Sequence, residues 1–144
     1  MLREETAASP ERRAAALAGL KAYGLAYGPY PYPALTIVDP PEEAEGTGGM
    51  EYPTFFTAGT VTLYNTWPFD RIREAEEVVL HELGHQYFQG LVASNEFEEA
   101  WLDEGVTTYV TARVMDALFG ADRSTAELGG LRVAREVAHH QVRL

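Results

Sequence analysis

Val78-Val79-Leu80-His81-Glu82-Leu83-Gly84-His85-Gln86-Tyr87-Phe88 is the stretch whose reading decides the fold. Val79, Leu80, Leu83, Tyr87, Phe88 and, further on, Leu91 recur at helical spacing, which predicts a helix from about Asp70 to Leu91. Two histidines four apart on a helix differ by about 40° of rotation, so both imidazoles leave one face roughly one turn apart. That spacing lets two neutral ring nitrogens reach one tetrahedral ion at about 2.0–2.1 Å. Glu82 then points beside the ion, where a general base that takes a proton from water belongs. Glu104 follows after 18 intervening residues, enough to end the helix, turn and enter a second helix running back past the ion. It supplies a third ligand and leaves the fourth position for water, the His₂Glu set of a catalytic zinc. The chain holds only 4 His, and two of them sit in this pattern, so a chance run on a charged helix explains it poorly. The sequence therefore predicts one Zn²⁺ per chain on His81, His85 and Glu104, with Glu82 as the base.

The same stretch, followed by Glu99-Ala100-Trp101-Leu102-Asp103-Glu104-Gly105, resembles the zinc-binding segment of the membrane alanyl aminopeptidase family, peptidase family M1. The family's tryptophan-leucine-asparagine-glutamate-glycine run is matched with Asp103 in place of the asparagine. Upstream, Gly48-Gly49-Met50-Glu51-Tyr52-Pro53 resembles its glycine-alanine-methionine-glutamate-asparagine motif, with Tyr52 in place of the asparagine. Tyr30-Pro31-Tyr32-Pro33 leading into Leu35-Thr36-Ile37-Val38 is similar to the family's approach to that motif. The resemblance covers about residues 10–118. It implies a thermolysin-like α+β catalytic domain, with a small, mainly antiparallel sheet packed on the helices that carry the zinc ligands. It also implies an aminopeptidase whose substrate is a peptide with a free N-terminus, bound by Gly48, Gly49, Met50 and Glu51. Glu51 would hold the α-amino group. Two glycines let a backbone approach a ligand closely, and an extended segment beside the metal could pair with a substrate main chain as an added strand.

A family tyrosine that hydrogen-bonds the reaction intermediate lies some sixty or more residues beyond the glutamate ligand, past Leu144. The resemblance thus implies a catalytic segment of a larger enzyme with further domains. Tyr109 is expected to pack; Tyr52, Tyr64 and Tyr87 lie nearer the motif, and spacing selects none of them. Tyr52 leaves open a zinc endopeptidase or oligopeptidase. A zinc-binding core that is catalytically weak and serves as a peptide-binding module is the other alternative.

At 144 residues and 46% hydrophobic composition the chain fits one domain, 1–144, with a real core. Net charge is −11, from 22 acidic against 11 basic residues, which disfavours nucleic acid. The acid clusters at Glu74, Glu76 and Glu77 and again at Glu96, Glu98, Glu99 and Asp103. A negative cleft there would favour a protonated amine. No run of 18 apolar residues is present, so no membrane span is expected, and MLREETAASP lacks the apolar stretch of a signal peptide. With no cysteine, any zinc site must use histidine and carboxylate, and cysteine usage assigns no compartment.

Ser9-Pro10-Glu11 predicts a helix start, with the helix running to about Tyr23 before Gly24. Ala34 to Asp39 reads as a strand, and Glu51 to Asn65 as two strands bent at Gly59. Further helices are expected over Glu98–Leu118, with Trp101, Leu102, Val106, Val110 and Val114 toward the core, and over Ser124–Arg143. Gly84 costs a helix about 1 kcal/mol against alanine, which makes sense where another element packs closely. Adjacent His139 and His140 point about 100° apart on a helix and read as surface residues, not a second metal site.

Overall fold

Helix α1 (Pro10–Tyr27) buries Arg12, Ala15, Ala16, Gly19 and Tyr23, positions spaced to form one stripe of a 3.6-residue helix. The computed structural model of the chain describes residues 10–41, 43–44, 48–60, 73–120, 126–128 and 131–133. α1 passes the expected stop at Gly24 by about one turn. The extra turn is held by Tyr27, whose ring lies 6.2, 6.5 and 5.1 Å from those of Tyr23, Tyr87 and Phe88. That contact outweighs the small helix penalty of glycine.

Three short strands follow: β1 (Thr36–Val38), β2 (Gly49–Met50) and β3 (Phe55–Ala58). β3 lies in the middle, parallel to β1 and antiparallel to β2. The α+β class holds, but this sheet is mixed where a mainly antiparallel one was expected. After β1 the chain crosses to the far edge, forms β2, turns through residues 51–54 and re-enters between the two as β3. Phe56 and Ala58 alternate inward along β3 and are buried.

Helix α2 (Glu74–His85) packs between α1, the sheet and α3 (Val106–Phe119), burying Val79, Leu80 and Leu83. The Tyr23 hydroxyl donates to the Leu80 carbonyl at 2.9 Å and lies 3.4 Å from Thr111 Oγ1, joining three helices at one buried point. Gly84 has the close neighbour its chemistry predicts. A Cβ there would meet Thr107 Cγ2 at 2.9 Å and the Tyr23 hydroxyl at 3.5 Å. Buried Arg12 pairs with Asp39 at 2.7 Å and donates to the Ala58 carbonyl at 3.1 Å, fastening α1 to the ends of β1 and β3.

Several sequence expectations need correction. α2 stops at His85 and not near Leu91, because Gln89 takes a positive φ of 84° and the Gly90 N–H closes back on the His85 carbonyl at 2.8 Å. Leu91 is exposed as a result. The second helix starts as a π turn, Trp101–Gly105, which leads into α3. Trp101 is 62% exposed and Tyr109 is 56% exposed, so neither packs in the core. Within the expected C-terminal helix, β4 (Ala126–Leu128) and β5 (Leu131–Val133) pair antiparallel instead. In the sequence the Gly-Gly pair at 129 and 130 is a turn signal that competes with the helical spacing of Leu128 and Leu131. Ser9, Val61 to Asn65, Asp70, Ser124, His139, His140 and Arg143 lie outside the described residues. No helix among the described residues is long and apolar enough to cross a membrane.

Candidate metal centre

The last turn of α2 and the π turn meet at His81, His85 and Glu104. His85 Nε2 lies 3.1 Å from His81 Nε2, while Glu104 Oε2 lies 3.3 Å from His81 Nε2 and 3.8 Å from His85 Nε2. Zinc bonds of 2.0–2.2 Å in a tetrahedron separate ligand atoms by about 3.3–3.6 Å. The three donor atoms thus form a triangle of the right size for such an ion, and the donor set is one a borderline-soft divalent cation accepts. Glu104 is 60% exposed, so the group is open to solvent on that side.

The sequence spacing brings Glu104 to the two histidines, but the π turn decides its aim. Val106 N–H reaches back five residues to the Trp101 carbonyl, which widens the turn. Asp103 and Glu104, although consecutive, then meet opposite edges of the His85 ring. Glu104 faces Nε2, and Asp103 Oδ1 sits 2.7 Å from Nδ1. Asp103 is buried, and its Oδ1 meets the ring at ion-pair distance without an aligned hydrogen bond among the described residues, while Thr107 Oγ1 lies 3.5 Å from the same nitrogen. Sequence reasoning grouped Asp103 with the local acid cluster and missed this contact; its position directly before Glu104 was the available signal. A carboxylate on the far nitrogen fixes the tautomer that leaves Nε2 free for a metal and raises the basicity of the ring. Asp103→Ala is therefore expected to weaken zinc affinity by about 10–100-fold, read by competition with a chromogenic chelator. Unchanged affinity would mean that Thr107 and packing orient His85 without the carboxylate.

Glu82 is 6% exposed, and its Oε2 has no hydrogen-bond partner among the described residues. Its other oxygen faces β2 so closely that a Cβ at Gly49 would overlap it. A side chain at that position would require the Glu82 carboxylate to shift. Burial, then the neighbouring carboxylates of Glu51, Glu104 and Asp103, push its pKa up to about 8 in the metal-free chain. Burial and the neighbouring His85 lower the His81 pKa, which favours the neutral ring a metal needs. Glu51 also acts on His81, so the carboxylate after β2 is felt at both residues. Gly49 and Met50 form β2 on an edge of the sheet, and Gly48 precedes them, its carbonyl accepting the Gly59 N–H. Met50 is exposed. Tyr87, in contrast, is buried in the aromatic cluster with Tyr23 and Tyr30.

Residues 19–142 match the peptidase family M1 domain. The chain belongs to this family. Among curated M1-related proteins, it is 34% identical over 94 residues to leucine aminopeptidase 2 of Emericella nidulans, covering 65% of this chain and 14% of that protein. To leucine aminopeptidase 2 of Aspergillus clavatus it is 41% identical over 70 residues, 49% of this chain and 10% of that protein. A leukotriene A-4 hydrolase homolog of Botryotinia fuckeliana is 40% identical over 73 residues, 51% of this chain and 10% of its own. The chain thus spans about one seventh or less of the length of these relatives, within the M1 domain.

Proposed function

We propose that this M1 chain is the zinc-binding catalytic segment, 1–144, of an aminopeptidase with the thermolysin-like arrangement of its family. His81, His85 and Glu104 hold one Zn²⁺, Glu82 is the general base, and Gly48, Gly49, Met50 and Glu51 bind the substrate's N-terminal end. The observation that carries this reading is the triangle of His81 Nε2, His85 Nε2 and Glu104 Oε2, flanked by a buried carboxylate with an unpartnered oxygen. When bound, zinc supplies Lewis acidity toward a carbonyl oxygen and lowers the pKa of water toward about 7.

The chain's own residues do the rest. Glu82 accepts a proton on a carboxylate oxygen and delivers it to the leaving amine nitrogen, a transfer that burial and a raised proton affinity favour. β2 offers the substrate an edge to which an extended peptide can add as a strand. Glu51, at the end of that strand, holds the protonated α-amine, so the peptide enters with its N-terminus first. The names of the relatives, leucine aminopeptidase among them, support the same substrate class.

The test is elemental analysis of chelator-free protein together with turnover of leucine p-nitroanilide and its N-acetyl counterpart. One zinc per chain with cleavage of the free amine alone is expected. Equal cleavage of the blocked substrate would favour the endopeptidase. Zinc without turnover would favour a peptide-binding module, and absence of zinc would end the reading.

A further inference from the structure

Gln86 caps α2 immediately after the second histidine, and its side chain does not face the metal centre's donor atoms. It is 1% exposed and reaches across to the turn that follows β2. Its Oε1 accepts the Thr54 N–H at 2.8 Å, and its Nε2 donates to the Tyr52 carbonyl at 3.1 Å. One orientation of the amide satisfies both bonds, so the clamp is specific for a carboxamide. The clamped backbone is strained: Thr54 has a φ of 61°, a region that β-branched residues enter only under restraint. Its carbonyl is taken as well, by the Thr36 N–H at 2.9 Å. The turn is thus pinned on one side to the sheet and on the other to the helix that carries both histidines.

We propose that Gln86 is a positioning residue that sets the register of cleavage, by fixing the Glu51–Thr54 turn at a set distance from His81 and His85. The inference rests on the proposed role of Glu51 as the amine-binding carboxylate. A peptide held at its α-amine by Glu51 and at its scissile carbonyl beside the histidines has room for a defined number of residues between the two points. That number stays fixed only while the turn cannot drift relative to α2. The bond at residue 52 is made by a main-chain carbonyl. A tyrosine side chain there, in place of the family's asparagine, therefore leaves the clamp intact.

The test compares two ligands that share one metal-binding group, leucine hydroxamate and its des-amino counterpart isocaproyl hydroxamate. Their affinities for zinc-loaded protein are measured by calorimetry, alongside kcat and KM for leucine p-nitroanilide. Wild type should prefer the ligand that carries the amine. Gln86→Met fills similar volume without either hydrogen bond and should keep its zinc. It should lower the preference about tenfold to a hundredfold, the scale of an ångström-sized misplacement. Binding of the des-amino ligand should change little, and the loss on leucine p-nitroanilide should appear in both KM and kcat. Gln86→Glu keeps an acceptor for the Thr54 N–H but sets an oxygen against the Tyr52 carbonyl, and should lower the preference as well. It decides the matter if the Met variant does not retain zinc. Glu51→Ala is the control that separates two failures. Loss of preference in Glu51→Ala but not in the Gln86 variants overturns this proposal and leaves the aminopeptidase reading standing. Preference unchanged in Glu51→Ala overturns both. Loss of zinc from both Gln86 variants also overturns the proposal, since Gln86 would then support the metal centre or the fold itself.

Discussion

Glu82→Gln is expected to keep one zinc per chain while turnover falls by about 10²–10⁴ or more, the usual contribution of a positioned general base. The amide keeps the size and one oxygen of the carboxylate but cannot take up a proton at working pH. A purely structural change is distinguishable by its pH dependence. In the metal-free chain the Glu82 pKa is raised to about 8 from the ordinary carboxylate value of 4.5. For a carboxyl raised in this way, the stability it contributes is fully present below the unfolded pKa. It is lost as pH rises from about 4.5 toward about 8, because the folded state resists ionisation. Glutamine has no such loss. Metal-free Glu82→Gln should therefore melt progressively higher than metal-free wild type as pH rises through that window, and level off above it. A bound divalent cation stabilises the carboxylate and should shrink the difference. Near-normal turnover in Glu82→Gln would show that another group activates the water, whatever the melting curves do.

The parts of this centre that were legible in the sequence are those governed by helical geometry. A four-residue spacing on one helix is sufficient to bring two ring nitrogens within 3.1 Å, and it did. Gly84 announced a close neighbour, which the structure supplies in Thr107 and Tyr23. The parts that were not legible depend on contacts between segments distant in sequence. Gln86 looked like another helical residue, yet both ends of its amide bind main-chain atoms 32 and 34 residues away. Hydrophobic periodicity carries no record of such bonds. The π turn was equally invisible, because Trp101, Leu102 and Val106 keep an ordinary helical pattern while one widened turn re-aims Asp103 and Glu104. Trp101 was misplaced for the same reason: its apolar character fits a core face, but the widened turn leaves it at the surface. The resemblance implied a mainly antiparallel sheet, and consecutive strands do usually pair as neighbours. β1 departs from that habit, since β2 takes the position on the opposite edge of β3. Beyond Phe119 the apolar spacing favoured a helix, and in the sequence only the glycine pair at 129 and 130 argued for the antiparallel pairing of β4 with β5.

Glu51→Ala is expected to reduce kcat/KM on substrates with a free α-amine by about 2–5 kcal/mol, roughly thirtyfold to several thousandfold, the cost of truncating one member of a desolvated charge pair. Half-buried in the free protein, Glu51 would be screened there by solvent, and an exposed pair contributes about 1 kcal/mol or less. A bound peptide changes that balance by covering the turn after β2 and excluding water from the ammonium–carboxylate contact. The size of the loss therefore reports how far the substrate closes the site, and it should grow from leucine p-nitroanilide to longer leucyl peptides that lie along β2. Amine-blocked peptides make no such contact and should lose little. They should gain if anything, because removing Glu51 also removes a negative charge that acts on both His81 and Glu82. Salt offers an independent check. Raising ionic strength should weaken the wild type's preference for free amines only modestly if the pair is covered, and steeply if it stays wet. Equal losses on free and blocked peptides after Glu51→Ala would end the aminopeptidase reading, even with zinc bound and Glu82 essential.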